Sequence, residues 1–475
     1  MVGITSYGAY VPLYRLSRSE LARAWLRGDA SGERSVANWD EDSITMGVAA
    51  ARDCLKGIDH KLVDGLYFAT TTSPFKESQS STILTTATNM RRDVFSGDFT
   101  DSLRSGTIAL RAAIDAVKAK SAKNVMVVAS DSRIGEPKSE YEQSFGDGAA
   151  SIMIGDSNII ANIEGIYSHS DEIYDNWRTN KDDMVKTWED RFVLTRGYEL
   201  NVKEAISAAL NKYGLQIQDF AKVVYYSPDE RRHREIAKAL GLSKTQIQDA
   251  MFDRLGNTGS AFALMMLVAA LEEAKPGDKI LFANYGNGAD VFIFQVTEQI
   301  EKVKGHRGMK GYLSFKMQLP NYETYIRFRG LMPVEMQRRP MVVSSAVQLW
   351  RYRDWILSAN ASRCRRCGKH QFPPQRVCLG CQSKDDFDLV DISDWTGELF
   401  TFSKDNLALC PDPPLILSIV DYGKKVRCYS RMTDRDPDKV DVGMPLELTF
   451  RKMHEGAGFP NYFWKPMPER ESLKK

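Results

Sequence analysis

A long apolar run is the first thing this 475-residue chain lacks: no window approaches the roughly 18 uninterrupted apolar residues that a membrane-spanning helix requires. Its first residues, MVGITSYGAYVPLYRLSRSELARAW, show no basic leader followed by an apolar stretch and a small-residue cleavage site, so a cytoplasmic protein without membrane contact is expected. Excess charge of either sign is missing too. Lys plus Arg (64) nearly offset Asp plus Glu (62), and the resulting +2 gives no reason to expect nucleic acid or an anionic membrane as the main partner. With 43% apolar and 27% charged residues the chain reads as globular throughout, long enough for two or three domains. Cysteine is scarce. Of seven, four crowd into CRRCGKHQFPPQRVCLGC, Cys410 and Cys428 stand singly, and Cys54 is the only one before residue 360. This excludes a disulfide framework and points to metal binding in a reducing compartment. Cys54 itself sits in the amphipathic run SITMGVAAARDCLKG, where a buried or half-buried helical thiol is expected.

What is present, up to about residue 300, is an alternation of short β-branched runs with amphipathic helices: VDGLYFATTT, SSTILTTATNM, SGTIALRAAIDAVKAK and KNVMVVASD. Such alternation predicts a layered α/β core. A similar order recurs through GYELNVKEAISAALNKYG, AKVVYYSP, GSAFALMMLVAALEEA and DKILFANYG, suggesting a duplicated plan divided into residues 1–165 and 166–300. Residues 301–345 are basic and aromatic without clear period and read as a connector. A helix and a zinc ribbon are expected over 346–390. Short alternating runs over 391–475, among them LILSIVDYG and PLELTFRK, suit a small OB-like β-barrel.

Cys364-x2-Cys367, ten residues, then Cys378-x2-Cys381 form two knuckles whose spacing can close a tetrahedral thiolate cage around zinc. Four cysteines leave no open coordination position, so the expected zinc is structural. Arg365, Arg366, Lys369 and Arg376 make the segment a poor apolar core and would offset the negative charge of a thiolate cage.

SFGDGAASIMIG (144–155), NTGSAFALMMLVAALEEAKPGDKILFANYGNGAD (257–290) and the turn SGTIAL resemble the thiolase superfamily, closest to 3-hydroxy-3-methylglutaryl-CoA synthases, over roughly the first 300 residues. The tail, with its four cysteines, FPP and GFPNYFWKPMPE, resembles the zinc-ribbon and OB-fold accessory domain that accompanies many thiolase relatives, here fused to its partner. The resemblance implies an acyl-CoA substrate, a homodimer or larger assembly, and an accessory domain that shapes the acyl-CoA entrance. Family members use a cysteine nucleophile, an activating histidine and, in the synthases, a glutamate acid/base, because a thiolate is both a good nucleophile and a good leaving group.

The positions that match this set hold other residues. Leu103 stands at the cysteine position four residues before the threonine of the GT turn, Tyr226 in YYSP at the histidine position, and Thr71 in TTTSP at the glutamate position. Ser102 and Ser105 flank the nucleophile position but lack a base. A histidine and a glutamate stranded without the thiolate would be buried charges lacking partners, and neutral replacements remove that cost. By resemblance Asn257 in GNTGS matches the asparagine that holds a thioester oxygen or a water, a role compatible with capping the helix that follows. Gly286 and Gly288 in YGNGAD match the glycine loop lining the family's site; the strand that follows excludes a dinucleotide fingerprint. Tyr226, Tyr225 and Tyr285 offer phenols, better donors than bases near neutral pH, and alternation in KVVYYSP turns one of the first two inward. His233 lies in a charge run and reads as part of a solvated helix face, and Asp147 as a turn carboxylate.

Some thiolase relatives with this accessory domain are aldolases that lack the cysteine. Two readings follow: an acyl-CoA enzyme that makes or cleaves a carbon-carbon bond without a covalent cysteine intermediate, with Tyr226, Tyr225 and Asn257 as its polar groups, or a non-catalytic subunit that binds CoA thioesters or supports a thiolase-like catalytic partner.

Overall fold

The structure, a computed structural model, describes residues 1–28, 30–303, 305–333, 343–423 and 425–471. Its contacts divide the chain into two compact units, the first formed by Met1–Ala37, Asp42–Thr82 and Arg91–Tyr322, the second by Asn38–Glu41, Ile83–Met90 and Glu323–Lys475.

The first unit is built on nine strands: β1 Gly3–Tyr10, β2 Gly65–Ala69, β3 Phe95–Phe99, β4 Asn124–Asp131, β5 Gly148–Gly155, β6 Ala161–Ser170, β7 Lys222–Tyr225, β8 Lys279–Tyr285 and β9 Gly288–Val296. Their order is β7-β8-β9-β6-β1-β5-β4-β2-β3. The duplicated plan is visible in the pairing. In one half β2 runs parallel to β4, β4 antiparallel to β5 and β5 antiparallel to β1. In the other, β7 runs parallel to β8, β8 antiparallel to β9 and β9 antiparallel to β6. Within the sheet the halves join where β1 pairs with β6, Gly3 opposite Asn162 and Ile4 opposite Ala161.

The longer helices that pack on the strands include α1 Ser43–Cys54, α2 Ser105–Lys118, α3 Leu200–Tyr213, α4 Glu230–Ala239 and α5 Phe262–Glu273. Each starts for a local reason or is held by packing. Asp42 caps α1, its carboxylate accepting from the Thr45 N–H while the Thr45 hydroxyl accepts from the Asp42 N–H. No side chain caps α5, but FALMMLVAAL is apolar on nearly every side and packs against β1 and β5 of one half and β7 and β8 of the other. A helix apolar all round is an interior helix. At Gly106 in the first turn of α2, a Cβ would lie 2.9 Å from the Ser260 carbonyl oxygen and 3.0 Å from Leu264 Cδ1. Glycine there lets the starts of α2 and α5 approach, which brings the SGTIAL turn beside the segment carrying Asn257. Cys54 is fully buried at the end of α1, as expected, and burial pushes its thiol up to about 12.

Within the stretch read as a connector, 301–345, a short helix Gly308–Leu313 and the buried side chains Met309, Tyr312 and Phe315 pack on the first unit. Residues 304 and 334–342 of that stretch lie outside the described residues. In the second unit α6, Ala346–Ile356, precedes a three-stranded ribbon of β10 Asn360–Cys364, β11 His370–Gln371 and β12 Phe387–Asp391. Five antiparallel strands follow, β13 Gly397–Asp405, β14 Leu415–Tyr422, β15 Val426–Arg431, β16 Pro445–Gly456 and β17 Phe459–Pro468, in the order β15-β14-β13-β16-β17. The Ser430 hydroxyl reaches the Trp464 carbonyl at 3.2 Å, drawing the two outermost strands together as a small barrel requires. Arg451 is fully buried there between Glu41, at 2.7 Å, and Asp434, also at 2.7 Å.

Candidate active site

The site grows from the ends of β4, β7 and β8, where polar side chains follow apolar strands. Tyr226, the residue after β7, extends the strand through its N–H to the Ala283 carbonyl at 3.0 Å. Its hydroxyl accepts from Asn257 Nδ2 at 3.1 Å, so the phenolic proton remains available to another acceptor. Asn257 Nδ2 also donates to the Ser227 carbonyl at 3.1 Å, and Oδ1 accepts from the Gly259 N–H at 3.0 Å and from Arg133 at 2.8 Å. Every donor and acceptor of this amide is therefore committed, and its orientation is fixed. The expected cap on α5 is not formed: Asn257 Oδ1 instead accepts from the Gly259 N–H in the short turn before that helix, which starts without a side-chain cap. Arg133 in turn lies 4.1 Å from the centre of the Phe145 ring, a cation held against an aromatic face.

Thr71, at the position matched to the family's glutamate, is tied into a clamp around Asp131. That carboxylate accepts from the Thr71 N–H at 2.7 Å, from the Thr70, Thr71 and Thr72 hydroxyls at 3.0 Å each, and from the Ser260 N–H at 2.8 Å. The Thr71 carbonyl accepts from Arg178, whose guanidinium is lowered by burial against the opposing pull of Asp131. At Gly259 (φ +66°) a Cβ would fall 2.3 Å from Asp131 Oδ2, so Thr71, Asp131, Asn257, Arg133 and Tyr226 form one contiguous assembly. It contains no free acid at the glutamate position.

Leu103 is buried, and its carbonyl accepts from Asn284 Nδ2 at 3.2 Å. Gly286 packs against this turn: a Cβ there would lie 2.9 Å from the Arg104 N–H nitrogen and 3.0 Å from Ser102 Oγ. Gly288 answers a different constraint, its φ of +111° and a Cβ position 2.2 Å from the His169 carbonyl admitting only glycine beside β6. Neither Ser102, whose hydroxyl is directed to the Gly286 carbonyl, nor the buried Ser105 meets a base.

The three tyrosines separate. Tyr226 and Tyr285 share the site, ring centres 6.2 Å apart, with Tyr198 packed edge-on to Tyr285 at 5.5 Å. Burial raises the phenols of Tyr226 and Tyr285 above their ordinary range, leaving them donors. Tyr225 points away: its hydroxyl donates to the His233 carbonyl at 2.7 Å, so it takes no part in this assembly. Both tyrosines are buried, because β7 is covered on two sides. His233, expected in solvent, is instead buried and stacked on Tyr225 with ring centres 4.5 Å apart, and burial lowers it to about 4. The charges of ERRHRE occupy the outer face of α4 while the histidine occupies the inner one. Asp147 is structural as expected, accepting from the Ala37 N–H at 2.8 Å.

Asp131, Arg133 and Asp175 were not picked out from the sequence. The signal for the first two was the pair of charges that closes the apolar strand NVMVVASDSR, since sites in α/β sheets gather at the carboxyl ends of strands. Beside the site a hollow of about 750 Å³ opens between Ile173, Tyr174, Trp177, Trp188, Phe192 and Arg196.

The four cysteines of the second unit place their sulfurs within 4.8 Å of one another, with Cys364 and Cys381 at 3.6 Å and Cys367 and Cys378 at 3.4 Å. A tetrahedral zinc with Zn–S bonds of about 2.3 Å sets its sulfurs about 3.8 Å apart, so the cage fits zinc. The Ser383 hydroxyl, 3.1 Å from Cys364 Sγ, leads the interactions that hold that thiol near about 6 and favour the thiolate a metal needs.

A doubled mixed sheet enclosing an apolar helix, with polar groups gathered at the starts of two helices, defines a thiolase-like protein. Residues 210–294 match the C-terminal model of 3-oxoacyl-[acyl-carrier-protein] synthase III, and residues 361–388 match the ChsH2 rubredoxin-like zinc ribbon domain. Among solved structures, HMG-CoA synthase complexed with CoA shares the fold at a TM-score of 0.62 and 18% identity, covering 72% of this chain and 94% of that one. The 3-oxoacyl-[acyl-carrier-protein] synthase III of Aquifex aeolicus does so at 0.56 and 20%, covering 62% and 100%. The hydroxymethylglutaryl-CoA synthase of Thermococcus gammatolerans is 32% identical over 340 residues, 68% of this chain and 97% of its own length. That of Pyrobaculum aerophilum is 33% identical over 346 residues, 70% and 98%. The chain belongs to the hydroxymethylglutaryl-CoA synthase family and carries a zinc ribbon in its second unit.

Proposed function

We propose that this protein makes or cleaves a carbon-carbon bond, by aldol or retro-aldol chemistry, on a CoA thioester without forming a covalent cysteine intermediate. One observation carries this reading: in the buried Arg133–Asn257–Tyr226 chain the Asn257 amide is fully committed and turns its Nδ2 to the phenol, leaving the phenolic proton to a substrate oxygen, at the positions that resemblance matches to the family's histidine and asparagine. A fixed donor in a water-poor site stabilises an enolate oxygen that develops during reaction, and needs no nucleophile. The departure at Leu103 agrees with it, since it removes the nucleophile that only acyl-enzyme chemistry requires, while the departure at Thr71 hands the acid/base role to another residue. The neighbouring hollow is large enough for an acyl chain. The assembly proposed is a cytoplasmic homodimer or larger, with residues 1–165 and 166–300 as the two halves, 301–345 connecting, 346–390 as helix and ribbon and 391–475 as the barrel.

A second reading, a subunit that holds CoA thioesters or supports a catalytic thiolase-like partner, is favoured by the burial of Leu103 in the nucleophile turn. One experiment separates them. The protein and Tyr226→Phe are incubated with a panel of β-hydroxyacyl-CoA and β-ketoacyl-CoA esters, and products are read by mass spectrometry. Release of a shorter acyl-CoA with an aldehyde or ketone, lost in Tyr226→Phe, supports the enzyme; binding without turnover across the panel overturns it.

A further inference from the structure

Resting on the carbon-carbon reading above, we infer that Asp175 is the proton-transferring residue of the site, acting beside the Tyr285 phenol that faces it. Asp175 is 4% exposed, and its Oδ1 is held by the Asn176 N–H at 2.5 Å. Neither Oδ2 nor the Tyr285 hydroxyl closes a hydrogen bond of full geometry among the described residues. The two groups nevertheless interact with each other as a loose hydrogen-bonding pair, so the phenol faces the carboxylate. A Cβ on Gly197 would lie 2.7 Å from that hydroxyl and 3.0 Å from Ile173 Cδ1, so glycine there keeps the phenol seated next to the wall of the aromatic hollow. A buried carboxylate oxygen met only loosely by a phenol is under-satisfied, and a ligand oxygen reaching the pair would complete its hydrogen bonding.

Chemistry points to the same residue. With Tyr226 and Thr71 replacing histidine and glutamate, the site still needs one group that exchanges a proton near neutral pH. The tyrosines are pushed the wrong way by burial, and His233 lies on the far side of β7. Burial raises Asp175 above the ordinary carboxylate range, opposed by the Asn176 N–H, the Tyr285 hydroxyl and then Arg133, while Tyr226 also faces it and Asp171 faces Tyr285. In the cleavage direction the Asp175 carboxylate takes the proton of the substrate's β-hydroxyl. The C–O bond becomes a carbonyl, the Cα–Cβ bond breaks, and its electron pair passes to the thioester enolate, whose oxygen the Tyr226 phenol meets. Asp175 then returns the proton to Cα, giving a shorter acyl-CoA and a free aldehyde or ketone with no external oxidant or reductant.

The test uses the full zinc-loaded chain, the β-hydroxyacyl-CoA panel, and the variants Asp175→Asn, Asp175→Glu and Asp175→Ala. The expected result is a fall in kcat of about 10²- to 10⁴-fold for Asp175→Asn with KM and melting temperature unchanged, partial recovery in Asp175→Glu, and rescue of Asp175→Ala by added formate. In the wild type, kcat/KM rises with pH through an acid limb placed above the ordinary carboxylate range of about 4, because the base must be ionised. That profile needs no variant to fold. A wild type that turns over with no such limb, or an Asp175→Asn variant that keeps the wild-type rate, overturns the role of Asp175 and leaves the carbon-carbon reading standing. A wild type that binds the esters and releases nothing is a separate failure, of the parent reading, and removes this role with it.

Discussion

Arg133 donates to Asn257 Oδ1 at 2.8 Å, and this bond, with those from the Gly259 N–H to Oδ1 and from Nδ2 to the Ser227 carbonyl, sets which end of the Asn257 amide faces Tyr226. With Oδ1 occupied by a cation, Nδ2 must point at the phenol, and the phenolic proton is left for a substrate oxygen. Arg133→Lys keeps the charge and loses the planar fork that both bonds Asn257 and lies on Phe145. A fall in kcat of about 10²-fold is expected, comparable to losing one oxyanion donor, with little change in melting temperature. Steady-state kinetics beside a thermal melt check it.

Gly259→Ala places a methyl 2.3 Å from Asp131 Oδ2 at a backbone angle that side chains avoid. The Asp131 clamp and Asn257 must shift together. A loss of about 1–3 kcal/mol of stability, read by denaturant unfolding, should come with a loss of turnover.

His233 makes the stability of the fold pH-dependent. Burial lowers it from 6.5 to about 4, so between those values the unfolded chain binds a proton that the folded chain does not. Stability is fully present above pH 6.5 and falls as pH drops toward about 4, by at most about 3 kcal/mol from this group. His233→Phe, which preserves the stack on Tyr225, should remove this component from the dependence of unfolding free energy on pH.

How much of this was legible follows from distance along the chain. The zinc cage is written within 18 residues, and its spacing alone implied the cluster the structure forms. The doubled fold showed as a recurring order of strands and helices. Tyr226 and Asn257 were reached through motifs, yet the partner that orients them, Arg133, lies 124 residues from Asn257, and no local pattern encodes that contact. Asp175 sits in a loop with no period to mark it. His233 was misread because three arginines and two glutamates set the average character of its helix, whereas the one face that meets Tyr225 sets the fate of the histidine.

Removing zinc should unfold the ribbon first. Cys378→Ser, which breaks a buried ligand, is expected to abolish a metal content of one zinc per chain and to expose residues 360–391 to protease. Elemental analysis and limited proteolysis of the intact chain check both outcomes.

The central claim is carbon-carbon chemistry without an acyl-enzyme, and the most direct measurement is the intact mass of the protein quenched during turnover of a β-hydroxyacyl-CoA. The account predicts an unmodified mass at every time point while a shorter acyl-CoA and a carbonyl product accumulate. A mass increased by one acyl group, mapped to Ser102, Ser105 or Cys54, would contradict it.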